Sequence, residues 1–209
     1  MNISDILLGA AIIIAAPAVN RVGEAKAQQI HPDQVVVDSP FVHDPVLAYE
    51  NGKYYLYSTG HGISQMTSAD RKHWTLCREG VLKNHEIPAW THDSVPGFHT
   101  HIWAPDVIHY RNKWYLAYSC STFGKNTSAI GLLSNTSLAN MNGWKNEGCI
   151  LASEGKRDNW NAIDPNFVID DKGNPWMTWG SFWDGIQLVK LDKKTMHVKK
   201  GAKPQTIAR

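Results

Sequence analysis

Two aspartates sit in the same local frame, Val42-His43-Asp44-Pro45-Val46 and Asn161-Ala162-Ile163-Asp164-Pro165-Asn166-Phe167. Proline follows each carboxylate and fixes the backbone beside it. A third aspartate, Asp106, follows Pro105 rather than preceding it, and the three are 62 and 58 residues apart. Carboxylates gathered in one cleft do two kinds of chemistry. They hold a cation through oxygen, or they divide acid and base work at a glycosidic bond. The plain alternative is an Asp that caps a turn beside Pro, and the reversed order at Pro105-Asp106 favours that structural role there.

The elements that carry these residues repeat. Asp44-Pro45 leads to Gly52-Lys53-Tyr54-Tyr55-Leu56-Tyr57-Ser58, and Pro105-Asp106 leads to Asn112-Lys113-Trp114-Tyr115-Leu116-Ala117-Tyr118-Ser119. Asp164-Pro165 leads to Gly173-Asn174-Pro175-Trp176-Met177-Thr178-Trp179-Gly180-Ser181. Each unit reads aspartate, strand, tight turn, aromatic-rich strand. Asn51-Gly52 and the Asp170 to Gly173 segment supply residues that tolerate positive φ, as hairpins need. A third strand is expected at 63–68, 128–134 and 185–191, and a short fourth at Trp74-Thr75-Leu76 and from Trp144 to Ile150. No long helical periodicity interrupts the pattern. Short antiparallel strands repeated every sixty residues predict an all-β fold, with β-propeller blades as the leading architecture and a sandwich as the competitor. The expected units run about 41–90, 99–152 and 158–209.

Composition narrows the partners. The net charge is +2 with no Lys/Arg block, which argues against nucleic acid. Nine Trp residues supply flat apolar faces that can stack on sugar rings or fill a core. Cys77, Cys120 and Cys149 are an odd set without metal-site spacing, so at most one pair can form, and Cys120 reads as a buried thiol. His92, His99 and His101 have no acidic partner at zinc-site spacing. An apolar run from Ile6 to Val19 precedes Ala25-Lys26-Ala27. It is short for a bilayer span, so residues 1–27 read as an export signal, with an uncleaved anchor as the alternative. Either reading places the mature chain, 28–209, outside the cytoplasm: secreted, periplasmic or at the cell surface, with no stable membrane span once the signal is removed.

Five segments in order carry a family resemblance: His43-Asp44-Pro45, His101-Ile102-Trp103-Ala104-Pro105-Asp106, the stretch from Ser119 to Gly131, Asn161-Ala162-Ile163-Asp164-Pro165, and Gly180-Ser181-Phe182-Trp183-Asp184-Gly185-Ile186. Together they closely resemble the arabinanases of glycoside hydrolase family 43, from about Val42 onward. The resemblance implies a five-bladed β-propeller, of which this chain covers about three blades. It implies hydrolysis of α-1,5-linked L-arabinan with inversion, acting on arabinan or arabino-oligosaccharides. By resemblance Asp44 is the general base and Asp164 the carboxylate that raises and orients the acid. Trp103 and Phe123 are cleft walls, and Asn161 and Ser181 are polar contacts near the sugar. No cofactor is required; the family leaves room for a structural Ca2+ in the channel of the whole fold, and no metal ligand is assigned here.

The family's general acid is a glutamate in a Glu-Ala-Pro-like motif on the fourth blade. Glu24, Glu50, Glu79, Glu86, Glu147 and Glu154 have no matching context. This chain is therefore expected to stop short of the acid and to be inactive alone. Two other readings stay open: a non-catalytic arabinan-binding protein, and a related α-arabinofuranosidase or β-xylosidase.

Overall fold

The structure is a computed structural model that describes residues 34–83 and 86–209. The described residues belong to one compact unit, His31–Arg209. The expected export signal lies outside the described residues. The unit opens with β1 (Gln34–Val37), β2 (Val46–Glu50), β3 (Lys53–Ser58), β4 (Gly60–His61), β5 (Ser64–Ser68) and β6 (Trp74–Cys77). A single helical turn, α1 (Thr91–Ser94), comes before β7 (His101–Tyr110), β8 (Lys113–Cys120), β9 (Ser128–Asn135) and β10 (Lys145–Ser153). The rest is β11 (Asn166–Ile169), β12 (Pro175–Trp179), β13 (Ile186–Lys190) and β14 (Gln205–Ala208). They pair into three antiparallel sheets, in the orders β1-β6-β5-β3-β2, β10-β9-β8-β7-β4 and β11-β12-β13-β14.

The sheets meet face to face, and the second is covered on both sides. Side chains alternate across a strand. On β8, Trp114, Leu116, Tyr118 and Cys120 therefore enter one core with Tyr55 and Tyr57 of β3. Tyr115 and Ala117 enter the other, with Phe167, Met177, Trp179 and Val189 of the third sheet. The same split on β9 sends Ala129 and Leu133 one way and Ile130 and Leu132 the other. A strand buried on both faces reads as a continuous apolar run, as β8 and β9 do.

Turns follow their residues. Asn51 and Gly52 both adopt positive φ, 49° and 83°, which closes β2 on β3 with two residues. Between β11 and β12 only Gly173 takes positive φ. Asp170, expected to share that conformation, instead accepts hydrogen bonds from the backbone N–H of Lys172 (3.0 Å) and Asn174 (2.8 Å). Its side chain shapes the turn from outside.

Polar side chains clasp neighbouring sheets. Glu50, at the end of β2, accepts from Trp114 Nε1 (2.7 Å), Ser137 Oγ (2.8 Å) and Leu138 N (2.8 Å). Asp106 on β7 accepts from Phe167 N (2.6 Å) and Asn166 Nδ2 (3.3 Å) at the start of β11. Tyr110 donates to the Gly173 carbonyl (3.0 Å).

These carboxylates set the response to acid. Burial pushes Glu50 up, but the hydrogen bonds from Ser137, Trp114, Ala139 and Leu138 outweigh it and leave its pKa lowered. Asp70 is held low by the His73 N–H and ring, Asp170 by Trp176 and Asn174, and Asp192 by the Lys194 and Thr195 N–H groups. A carboxylate with a lowered folded pKa stabilises above its unfolded pKa, and that contribution is lost as pH falls through the folded value. Asp106, raised mainly by burial, works in the opposite direction, as does Asp164. Four depressed groups outnumber two raised ones. Urea denaturation midpoints are expected to fall between pH 7 and pH 3, with the loss setting in below about pH 4. An unchanged midpoint across that range would show that these turn contacts carry no net stability.

Candidate active site

Three positions that precede a proline share an unusual backbone. Asp44, Ala104 and Asp164 have φ of 51°, 37° and 56°. Each stands immediately before a proline, and Pro45, Pro105 and Pro165 fall at intervals of sixty residues. The left-handed region costs a non-glycine residue about 1–3 kcal/mol and persists where the surroundings impose it. After Asp44-Pro45 and Asp164-Pro165 a strand starts at once, whereas Ala104-Pro105 sit inside β7 at an irregularity in its pairing with β8 between Trp103 and Asp106. The structural equivalent of Asp44 and Asp164 is therefore Ala104. Asp106, read from the sequence as a third equivalent carboxylate, lies two residues further along β7 and is taken up by Phe167 and Asn166.

Asp44 and Asp164 line one cleft of about 690 Å3, with Trp103, Phe123, Thr59 and His101 among its other walls. The carboxylates differ in setting. Asp44 Oδ2 accepts from Thr59 Oγ1 (2.6 Å) and pairs with His43 Nδ1 (2.7 Å). Thr59 Oγ1 in turn accepts from the backbone N–H of Ala104 (2.8 Å). That donor leaves the threonine proton directed at Asp44. Among the described residues Oδ1 of Asp44 accepts no hydrogen bond, so it is free to take a proton from water. Asp164 is held from behind, its N–H donating to the buried Ser119 Oγ (3.1 Å). Burial raises its pKa first, the charge of Asp44 adds to the rise, and a hydrogen bond from Ser181 opposes both.

Aromatic rings wall the cleft. Phe41 is 98% exposed, Phe123 91% and Phe182 85%. Such exposure of large apolar rings around one cavity marks a binding surface. Trp103, Phe123 and Phe182 also line an adjoining cavity of about 340 Å3, together with Trp183 and Asn161. Asn161 is 2% exposed. Its Nδ2 donates to the Lys125 carbonyl (3.4 Å), while its Oδ1 finds no protein donor. The structure thus brings Asp44, Asp164, Trp103, Phe123 and Asn161 to one connected groove, with Ser181 behind Asp164. Thr59, Phe41 and Phe182 join them unforeseen. Thr59 had a signal, since it comes immediately after the aromatic strand β3 that follows Asp44. Among the described residues no three of His, Cys, Asp and Glu come together as metal ligands.

A family model for glycosyl hydrolases family 43 matches residues 34–208. The chain belongs to that family. It is 43% identical over 159 residues to the extracellular endo-α-(1→5)-L-arabinanase 1 of Bacillus subtilis, covering 74% of this chain and 48% of the relative. It is likewise 43% identical over 154 residues to the extracellular exo-α-(1→5)-L-arabinofuranosidase ArbA of Cellvibrio japonicus, covering 72% of this chain and 44% of the relative. Among solved structures, an exo-1,5-α-L-arabinanase from a bovine ruminal metagenomic library superposes with a TM-score of 0.76 at 52% identity, over 82% of this chain and 57% of that one. The family 43 chain described here therefore spans about half the length of the curated relatives it matches. Among the described residues, no helix of this family member is long and apolar enough to cross a membrane.

Proposed function

We propose that the chain forms part of an exported glycoside hydrolase that cleaves α-1,5-linked L-arabinan with inversion. In this reading its three sheets are blades of a five-bladed propeller. Asp44 is the general base: Thr59 and His43 occupy Oδ2, and Oδ1 takes the proton of the attacking water. Asp164 supplies a second negative charge that holds a neighbouring acid protonated. An inverting enzyme keeps base and acid about 6.5–9.5 Å apart so that water fits between base and sugar. The family assigns the acid to a glutamate, and among the described residues no glutamate lines the cleft. The observation that carries the reading is the pair of unequal carboxylates in one aromatic groove.

The linkage is proposed rather than the mode of attack, because relatives named endo and exo are equally similar. Proton NMR of the sugar first released from a nitrophenyl α-glycoside of an arabino-oligosaccharide, whose leaving group needs no acid, is the direct test. Inversion yields the β-anomer first, and an α-anomer would overturn the mechanism. Binding gives a second check. Trp103→Ala is expected to weaken arabino-oligosaccharide affinity about tenfold, the loss of one stacking platform worth about 1–2 kcal/mol. Calorimetry showing equal affinity would remove Trp103 from the sugar-binding surface.

A further inference from the structure

The groove does not stop at the carboxylates. Thr59, Ser64 and His101 line the main cleft and also a further cavity of about 440 Å3. The remaining walls of that cavity include Arg78, His61 and Gly80, with no aromatic ring of Phe, Tyr or Trp among them. The cavity beside Phe123 is thus walled by Trp103, Phe182 and Trp183, and this one, which borders the cleft at Thr59, Ser64 and His101, by an arginine and two imidazoles.

That second end is constructed. β4 is a two-residue strand that leaves the first sheet and pairs with β7, setting His61 directly opposite His101. The pairing brings the two rings to 5.2 Å between centroids, edge to face. Glycine at 60 and 80 keeps the backbone wall close. A side chain on Gly60 would meet the Ser64 hydroxyl, and one on Gly80, where φ is +68°, would fall 2.8 Å from the Ile63 carbonyl. Among the described residues Arg78 forms no ion pair, although Glu79 adjoins it in sequence. A neutral furanose is served best by a flat apolar face, which this cavity lacks. An arginine fork, with its parallel N–H groups, matches a planar carboxylate instead.

We propose that this cavity is a subsite for a carboxylate-bearing sugar, a uronic acid unit carried by the glycan in the cleft. The inference rests on the reading of the cleft as a site for an α-1,5-arabinan chain. The subsite would favour chains carrying such a unit at one end over unmodified ones.

The test is calorimetric titration with three probes: arabinotriose bearing a terminal glucuronate, made at either end; the methyl esters of the same molecules; and neutral arabinotetraose. The ester keeps the size and removes the charge. The acid is expected to bind about tenfold more tightly than its ester in one of the two orientations, as a charge-assisted pair does, and the difference should shrink with added salt. In Arg78→Gln the preference should vanish while affinity for neutral arabinotetraose is unchanged. Because Arg78 is exposed, that variant keeps its fold. Equal affinity of acid and ester in both orientations, or a preference that survives Arg78→Gln, overturns the proposal. Failure of the cleft reading looks different: neutral arabinotetraose does not bind, whereas acid binding through Arg78 persists. If no probe binds, both readings fall.

Discussion

Asp44→Asn is expected to slow hydrolysis about 10² to 10⁴-fold, the usual contribution of a positioned general base. Nitrophenyl glycosides of arabino-oligosaccharides are the right substrates for measuring it. Their leaving group departs as a stable anion, so the rate depends on water activation and little on an acid. The measurement therefore isolates Asp44 even where, among the described residues, no glutamate lines the groove. Binding should change little, because asparagine preserves the size of the side chain and can still accept from Thr59. The expected result is a drop in kcat with KM held within a few-fold, the pattern of a group that acts in the transition state. A variant that kept its kcat and lost affinity would make Asp44 a binding residue only.

Trp179→Ala is expected to cost about 3–5 kcal/mol of stability, the range for a buried tryptophan truncated to alanine. Trp179 is 1% exposed in the core between the second and third sheets and packs edge to face on Trp160, centroids 5.4 Å apart. The loss should reach the site as well. Trp179 ends β12, and the next residue, Gly180, donates its N–H to the Ile163 carbonyl (2.8 Å), one residue before Asp164. A void under Trp179 loosens that anchor. Trp179→Phe is the control. Among the described residues the indole Nε1 has no partner, so a phenyl ring removes a buried unpaired donor while keeping most of the packing, and should cost under about 1.5 kcal/mol. Urea titration with both variants decides it. Equal losses would mean that the indole contributes something other than volume.

The sequence carried much of this. Period-two patterning and turn residues located the second, third and fourth strands of the first two units within a few residues, because buried strands and hairpin turns leave strong local signals. It missed β1, β4 and β14. These are short edge strands of two or four residues whose pairing depends on where a distant sheet edge arrives, which no local pattern states. The internal repeat was read from the aspartates, and that choice hid its true register. Prolines 45, 105 and 165 are equally spaced, and the residue before each is the one forced into the left-handed region. Aligning on proline rather than on charge would have placed Ala104, not Asp106, beside Asp44 and Asp164. Asp106 was still legible as structural from its reversed order with Pro105. The exposed rings of Phe41 and Phe182 were not, since an aromatic residue looks the same in sequence whether a core or a ligand receives it.

The bond from Ala104 N–H to Thr59 Oγ1 has a consequence for the order of events during folding. Asp44 precedes β2 and Thr59 follows β3, both strands of the first sheet, and the donor that aims Thr59 belongs to the second. Neither sheet alone holds a poised base. If Asp44 is the proposed base, water activation is expected only when the two have docked, as the product of an assembly step rather than the property of a strand. In a refolding experiment the recovery of nitrophenol release should lag behind the formation of strand structure and coincide with burial of Tyr57 and Tyr118 between the sheets.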